Sequence, residues 1–214
     1  LERLLDIRGI REGKCMLLTG FTGGDSQVIT SRKEVLRISG DHNGIHIGRT
    51  FGNQWHKTRF RTPYLRNTLW DMGYGVDTLE TAIPWGHVNK TLLAVEKSIK
   101  QSAGNNGENV HVFSHLSHIY PIGSSIYTTF IFRLEKDLTT TLNNWKKMKD
   151  SASRNVLENG GTISHQHGVG VDHADYLSME KGKIGMTVIR NLFESVDPEG
   201  MMNPGKLVKP GKSL

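Results

Sequence analysis

The sequence predicts an α+β domain in which helices cover one face of an antiparallel sheet. Up to Glu158, segments with strand-like alternation and segments with helical spacing follow one another as two rough β-α-β units. The helical segments carry an apolar stripe, as helices packed on one side of a sheet do. The chain contains no GxGxxG or P-loop motif, so it has no phosphate-cradling nucleotide loop of its own.

The first part of the chain predicts a strand, a helix and a second strand. Residues 14–21 contain an apolar run that begins at Cys15, which we interpret as a small buried hydrophobic residue. The helix that follows is expected to be capped by Asp25 or Ser26. After a turn, residues 44–48 predict the short second strand.

The middle of the chain predicts two helices and one strand. Pro63 is expected in the first turn of a helix, and residues 76–81 alternate as a strand does. A stronger helix begins after Pro84 and ends at the glycine-rich residues 104–107. Its apolar positions are four, three and four residues apart and form one stripe: Val88, Leu92, Val95 and Ile99.

The third part predicts a pair of strands and the longest helix. Residues 109–116 and 125–132 read as strands joined by a loop that contains proline and glycine. Asp137 caps the helix of residues 138–158, and the Asn-Gly-Gly sequence of residues 159–161 ends it. Two short helical stretches follow before the end of the chain.

Composition and charge exclude several classes of function. The chain has 214 residues, of which 36% are hydrophobic and 22% charged, and no run approaches the roughly 20 apolar residues of a membrane-spanning helix. Its net charge of +6 is spread along the sequence rather than gathered into a basic run with aromatics, which argues against nucleic acid and is compatible with a phosphate-bearing substrate. A single cysteine allows no internal disulfide and no thiolate zinc site, and favours a reducing cytoplasm.

Residues 164–170, Ser-His-Gln-His-Gly-Val-Gly, form the densest polar cluster. Such a loop suits the close approach of a flat ligand, with histidines that donate to an anion or carry a proton. The alternative is a glycine-rich connector whose histidines satisfy local backbone groups. A zinc site made of His165, His167 and His173 is a loose pattern without a carboxylate at helical spacing, and we predict no metal.

Tyr127 and Arg66 are the other candidate functional residues. Strand alternation turns Tyr127 to the polar side of its strand with Ser125 and Thr129, either as a buried hydrogen-bonding group or as an acid/base. Arg66 follows Pro-Tyr-Leu. It is either a surface arginine or a residue whose guanidinium group forms charge-assisted hydrogen bonds with a phosphate group.

These motifs, in this order, resemble the C-terminal part of the alkyldihydroxyacetonephosphate synthases and their bacterial relatives, which are FAD-linked oxidases of the vanillyl-alcohol oxidase type. The matching stretches are residues 63–66, 77–85, 117–127, 159–170 and 197–207. The glycine-histidine stretch and the ending are common to many FAD-linked oxidases. The first two stretches are more particular to the synthase group.

The resemblance implies a fold, a cofactor and a reaction. Residues 1–159 are expected to form a ferredoxin-like cap domain for the substrate, and residues 160–214 to pack on an FAD-binding domain that lies N-terminal of Leu1. The implied reaction exchanges the acyl group of an acyl-dihydroxyacetone phosphate for a long-chain alcohol, a step of ether lipid synthesis. Without the FAD-binding domain, this polypeptide is expected to be inactive.

The resemblance also implies residue roles. The acid/base tyrosine of the family falls on Tyr127, its phosphate-binding arginine on Arg66 and an active-site hydroxyl residue on Thr78. His165 and His167 correspond to catalytic histidines, and the middle histidine of the family is Gln166 here, which leaves the exact ether-forming reaction open. The flavin contacts fall on Ser164, Gln166, His167, Gly168 and Asn203.

A neighbouring branch, the D-lactate and D-2-hydroxyglutarate dehydrogenases, resembles this region as well. That branch often has a metal-binding glutamate at the position of Gln166 and a histidine at the position of Tyr127, so its metal and its hydroxy acid chemistry are disfavoured here. Oxidation by FAD of glycerol phosphate or another phosphate-bearing alcohol stays open, as does a non-catalytic binding module. A lipid substrate would favour peripheral membrane contact, and a homodimer also stays open.

Overall fold

The computed structural model describes residues 6–7, 9, 15–103 and 110–208. The chain divides into two compact units, Leu1–Leu65 and Arg66–Leu214. Within the described ranges, no helix combines the length and the apolar character needed to cross a membrane. The predicted helix end at residues 104–107 lies outside the described residues.

The regular elements described in the first unit are helical. It contains helix α1 (Asp25–Asp41), helix α2 (Thr50–Thr58) and the 3-10 segment Arg59–Tyr64. The predicted α1 is confirmed, but Gly24 is its N-cap and no side chain caps it. Asp25 instead lies in the first turn, where its charge complements the helix dipole.

Both strands predicted in this unit are wrong. Position 14 of the first lies outside the described residues, and neither residues 15–21 nor residues 44–48 form a strand. A strand needs a neighbour for its backbone groups, and the described residues of this unit contain no strand to pair with. The apolar run is also open to solvent, since Leu17 is 79% exposed. Cys15 is exposed too, so its interpretation as a buried residue is wrong.

The second unit contains a three-stranded antiparallel sheet in the order β1-β3-β2, which confirms the α+β class. The strands are β1 (Tyr74–Pro84), β2 (Val110–Tyr120) and β3 (Gly123–Arg133). All three predicted strands of this part of the chain are confirmed, and each is longer than predicted; residue 109 of the second prediction lies outside the described residues. A tight turn at Pro121 and Ile122 joins β2 to β3.

The described helices outside the first unit follow the predicted order. They are α3 (Leu65–Asp71), α4 (Val88–Ser102), α5 (Leu138–Glu158) and α6 (Leu177–Val196), with 3-10 segments at Trp85–His87 and Ala174–Tyr176. Pro63 lies in the 3-10 segment before α3 rather than in the helix itself. The backbone of α6 breaks at Gly182, which accounts for the prediction of more than one helical stretch.

The main core lies between one face of the sheet and helices α4 and α5. The strand residues of this core, Leu79, Val112, Phe130 and Phe132, contact Val95 and Ile99 of the predicted α4 stripe and the inner side of α5. The α5 residues are Met148, Ala152 and Val156, and every residue of this cluster is at most 7% exposed. The prediction that helices cover one face is therefore confirmed. The strand residues between these positions point to the opposite face, which carries the polar and aromatic groups described below.

Two polar anchors fix α5. Asp137 accepts hydrogen bonds from the backbone N–H groups of Thr139 and Thr140, as the predicted cap requires. Lys149 is buried and binds the Asp77 carboxylate at 2.9 Å and the backbone carbonyl of Thr78 at 2.8 Å. Because Lys149 belongs to α5 and the other two residues to β1, this ion pair fixes the strand against the helix. Gly160, with φ of 80°, then ends the helix as predicted.

Candidate active site

The histidine-bearing loop is hydrogen-bonded to the outer edge of β1. As the sheet order makes β1 an edge strand, its backbone groups on that side need partners. The N–H of Thr162 donates to the carbonyl of Ala82 at 3.2 Å, and the N–H of His165 donates to the carbonyl of Glu80 at 3.0 Å. These bonds bring His165 beside the centre of the strand.

Glycine is required where the loop approaches β1 and where it turns. A Cβ atom at Gly161 would lie 2.5 Å from Thr81 Oγ1, so a larger residue would push the loop away from the strand. Gly168 and Gly170 have φ of 74° and 56°, in the left-handed region that favours glycine. Ser164 Oγ donates to the carbonyl of Gly168 at 2.7 Å and closes the turn.

Glu180 of α6 holds the start of this loop. Its carboxylate accepts hydrogen bonds from Ile163 N at 2.7 Å and from Thr162 Oγ1 at 3.1 Å. Burial by itself would raise the pKa of Glu180, but the bonds from Ile163 N–H and Lys181 outweigh burial and lower that pKa. Ile163 itself is buried in a small cluster with Leu177 and Met186.

Glu80 is the centre of the candidate site. It lies on β1, on the sheet face opposite α4 and α5, and only 4% of its surface is exposed. Nδ1 of His118 and Nδ1 of His165 each lie 3.4 Å from its Oε1, and Nε2 of His167 lies 3.4 Å from its Oε2. Three imidazoles from two separate segments therefore surround one buried carboxylate.

An irregularity in β2 brings His118 to this face. The register of β2 with β3 shifts between Leu116 and Ile119, so Ser117 and His118 both lie opposite Ser125. Such a bulge redirects side chains that regular alternation would turn to opposite faces. The N–H of His118 donates to Ser125 Oγ at 2.9 Å, and the Ser117 and Ser125 hydroxyl oxygens are 2.6 Å apart.

The surroundings of Glu80 favour its charged form. Ser117 Oγ donates to Glu80 Oε1. Burial by itself would raise the pKa of Glu80, but the hydrogen bonds from Ser117 and Ser125 and the nearby His165 hold that pKa below its ordinary value. The site therefore contains an ionised carboxylate near neutral pH.

Tyr127 lies directly across from Glu80 in the pairing of β1 with β3. Its ring stacks on His115 with centroids 5.2 Å apart and meets the ring of His167 edge-on at 5.3 Å. The predicted orientation is confirmed, because Ile126 and Phe130 point into the core on the opposite face. The tyrosine is only partly buried, and its ring lies between two imidazoles.

A cleft of about 470 Å³ adjoins the cluster. Thr78 and His167 line it together with three basic or imidazole side chains, Lys149, His173 and Lys206, and with the carboxylates of Asp77 and Asp172. His173 is 8% exposed, and its Nδ1 has no hydrogen-bond partner. Burial, followed by the charge of Lys149, lowers the pKa of His173, so this imidazole is neutral at physiological pH.

The structure brings most of the predicted site residues to one region. Tyr127 contacts His167, His165 lies beside Glu80, and Thr78 lines the cleft together with His167 and Gly168. Ser164 and Gln166 belong to the same loop, and Gln166 has φ of 60° and an exposed side chain.

Arg66 and Asn203 are less closely tied to the cluster. Arg66 is exposed in the first turn of α3, and no hydrogen bond or ion pair among the described residues joins it to the cluster. Asn203 is exposed in a turn where its carbonyl accepts the N–H of Lys206 at 3.2 Å. Because Lys206 lines the cleft, this turn borders it.

Sequence reasoning missed the carboxylate and one of its histidines. The one sequence signal for Glu80 is that it lies on the same side of a predicted strand as Thr78. The polar residues that Glu80 contacts depend on the register of the neighbouring strands, which the sequence pattern does not give. His118 could not be assigned to this face because the bulge breaks the alternation of β2. Ser117 and Tyr120 were missed as site residues for the same reason, whereas alternation placed Ser125 on the correct face but did not mark it as a site residue.

Comparison with known proteins points to one family. The model described as "FAD linked oxidases, C-terminal domain" matches residues 2–207. The alkyldihydroxyacetonephosphate synthase of Trypanosoma brucei brucei is 28% identical over 195 residues, which cover 90% of this chain and 31% of that protein. Glycolate oxidase subunit GlcD of Bacillus subtilis is 42% identical over 52 residues, which cover 24% of this chain and 11% of that protein.

A solved structure agrees with the fold. A structure of an alkyldihydroxyacetonephosphate synthase matches with a TM-score of 0.56 and 23% identity, covering 87% of this chain and 31% of that chain. The chain thus spans about a third of the length of the synthases it matches.

The role of Glu180 as a loop anchor can be tested by its pH dependence. We expect Glu180→Gln to lower Tm at pH 7 by roughly 3–8 °C, since the charged acceptor of hydrogen bonds from Ile163, Thr162 and Lys181 is lost. The folded pKa of Glu180 is depressed, so its contribution is present above the unfolded value of about 4.3 and is lost as pH falls through the folded value. The difference in Tm between the two proteins should therefore shrink below about pH 4.

Glu194→Gln is the matched control, because Glu194 is exposed on the same helix. Scanning calorimetry of the three proteins between neutral and acid pH measures the effect. A difference in Tm for Glu180→Gln that is independent of pH would contradict the anchor.

Proposed function

Because this chain belongs to the family of C-terminal domains of FAD-linked oxidases, we propose that it forms the substrate-handling part of an FAD-dependent enzyme. The proposed reaction is that of the alkyldihydroxyacetonephosphate synthases, in which an alkyl group replaces the acyl group of an acyl-dihydroxyacetone phosphate. The similarity to such a synthase over 90% of the chain supports this assignment.

One observation carries the proposal: Tyr127 lies between two imidazoles on the open sheet face, across from a buried carboxylate. The adjoining cleft of about 470 Å³ has room for a small phosphate ester. In this arrangement the phenol oxygen of Tyr127 holds or moves a proton of the substrate, and His167 at its edge orients the ring. Thr78 contributes a hydroxyl group at the wall of the cleft.

The residues of the histidine loop are compatible with a flavin. Gln166, His167 and Gly168 are exposed. Apart from the adjacent residues, no described atom lies within 4 Å of a Cβ atom built at Gly168 or Gly170, so a flat ring system can approach the backbone there. The residues proposed to hold FAD are Ser164, Gln166, His167, Gly168 and Asn203. When bound, FAD supplies the electron-accepting chemistry that the side chains of this chain lack.

The proposed partner of this chain is an N-terminal FAD-binding domain of the same protein. The chain spans about a third of the matched synthases, which leaves room in them for such a domain. The second half of α6 also exposes apolar side chains that a neighbouring domain could cover: Ile184, Val188, Leu192 and Val196, at 82%, 62%, 62% and 73%. Residues 160–214 are accordingly the proposed contact segment.

The cap domain is proposed to be ferredoxin-like. Strand β1, helix α4, strands β2 and β3 and helix α5 follow one another as in that fold, with the two helices on one face of an antiparallel sheet. The described residues supply three of its strands.

The second candidate function is an FAD-dependent oxidoreductase of a hydroxy acid or phosphorylated alcohol. The similarity of a short stretch to glycolate oxidase subunit GlcD supports it, although the stretch covers only 24% of this chain. Glycerol 3-phosphate and D-lactate represent the two substrate types.

A substrate screen of the intact protein separates the two functions. We expect the purified protein to carry FAD and to exchange the acyl group of acyl-dihydroxyacetone phosphate for a long-chain alcohol, measured by mass spectrometry of the lipid product. Oxidation of glycerol 3-phosphate or D-lactate instead would favour the second candidate. A protein that binds no flavin would contradict both.

Tyr127→Phe removes only the phenol hydroxyl group. We expect kcat to fall by roughly 10²–10⁴-fold, because the group that carries the proton is lost, while flavin content stays unchanged. Tyr74→Phe is the matched control, since Tyr74 begins the neighbouring strand and its hydroxyl accepts from Arg133 at 3.1 Å. Equal turnover of the wild-type protein and Tyr127→Phe would remove the acid/base role.

Arg66 is proposed to bind the substrate phosphate. Arg66→Ala should raise KM for a phosphorylated substrate by roughly tenfold or more, because a charge-assisted contact is lost, with little change in kcat. Arg61→Ala, a change at another exposed arginine, is the control. If the variant treats phosphorylated and unphosphorylated substrates alike, Arg66 does not bind the phosphate.

A further inference from the structure

We propose that Glu80, His118 and His165 form a binding site for a divalent transition-metal ion such as Zn²⁺. The three residues offer one carboxylate oxygen and two imidazole nitrogens, and these donor atoms all lie within 4.8 Å of one another. Two histidines and a glutamate are a known ligand set for zinc sites that keep a coordination position open. The site differs from the histidine-only set that the loop sequence suggests.

The two distances between Glu80 and the histidines fit ligands that share an ion. Nδ1 of His118 and Nδ1 of His165 are each 3.4 Å from Glu80 Oε1. A direct N–H···O bond has a usual length of about 2.9 Å. Zinc binds imidazole nitrogen at about 2.0–2.1 Å and carboxylate oxygen at about 2.0–2.2 Å, so two ligands on a tetrahedral ion are roughly 3.3–3.5 Å apart.

His165 has the hydrogen-bonding pattern of a metal ligand. Its Nε2 lies 3.0 Å from the hydroxyl oxygen of Tyr120, whereas its Nδ1 is buried without a hydrogen-bond partner. Metal-bound histidines characteristically use the other ring nitrogen in such an outer contact, which fixes the ring. A buried nitrogen that faces a buried carboxylate needs either a proton or a metal ion between the two atoms, and the metal ion is the occupant proposed here.

His118 and Glu80 are held in position before any ion binds. The β2 bulge directs His118 to this face, and its backbone N–H is fixed by Ser125. Ser117 fixes the carboxylate of Glu80, whose side chain is 2% exposed. The side chain of His118 is 43% exposed, so an ion can enter from solvent and keep a position for water or substrate.

The test measures metal uptake without flavin turnover, and its result is therefore independent of the proposed reaction. The intact protein is stripped with a chelator, dialysed and titrated with Zn²⁺ alone by calorimetry, and Co²⁺ serves as a visible probe of coordination geometry. We expect one ion per chain and cobalt absorption bands of a tetrahedral site. His118→Ala and Glu80→Gln should weaken binding by roughly 100-fold or more.

His87→Ala is the matched control, because His87 is exposed in the 3-10 segment Trp85–His87 and should bind Zn²⁺ as the wild-type protein does. If Glu80→Gln fails to fold, as judged by circular dichroism, the more exposed His118→Ala carries the test. The proposal is overturned if the wild-type protein takes up no Zn²⁺, in which case protons alone balance the Glu80 charge. It is equally overturned if His118→Ala binds Zn²⁺ as tightly as the wild-type protein.

Discussion

The candidate site depends on the pairing of an irregular loop with the free edge of β1. A sheet edge exposes unpaired backbone groups, and here the N–H groups of Thr162 and His165 satisfy two of its carbonyls. The loop is fixed from the other side by Glu180, whose carboxylate binds Ile163 N–H. Between these two attachments, His165 has little freedom to move away from Glu80. A loop that would otherwise be mobile thus delivers imidazoles to a defined position on the sheet.

The buried carboxylate of Glu80 makes a poor stabilising element by itself. Removing an ionised group from water is costly, and the cost is offset only when hydrogen bonds and opposite charge surround that group. The hydroxyl groups of Ser117 and Ser125 supply part of this compensation, and the imidazoles at 3.4 Å add only long contacts. A buried carboxylate surrounded by imidazoles does not stabilise a fold as well as apolar packing does. Its presence is therefore better explained by chemistry at the site than by stability.

Sequence patterns within one element correctly predicted the features that interactions within that element determine. The stripe of α4, the Asp137 cap and the orientation of Tyr127 each follow from spacing within one element, and each is confirmed. The strand predicted at residues 14–21 is wrong in its described part because an apolar run becomes a strand only where another strand pairs with it. Glu80 and His118 were missed because their meeting depends on the register of β1, β3 and the bulged β2, which no local pattern encodes.

Two exposed surfaces of this chain, at the histidine loop and on α6, are consistent with the proposed contact to a separate FAD-binding domain. The histidine loop contacts β1 on one side and has an exposed backbone at Gly168 on the other, and the second half of α6 exposes an apolar stripe that water does not favour. Both features become reasonable if a neighbouring domain covers α6 and presents its cofactor to the loop. This chain would then supply the phenol, the imidazoles and the buried carboxylate, while the phosphate groups of the cofactor are bound elsewhere. Proton handling and cofactor binding would thus reside on separate folding units that meet at the loop of residues 164–170.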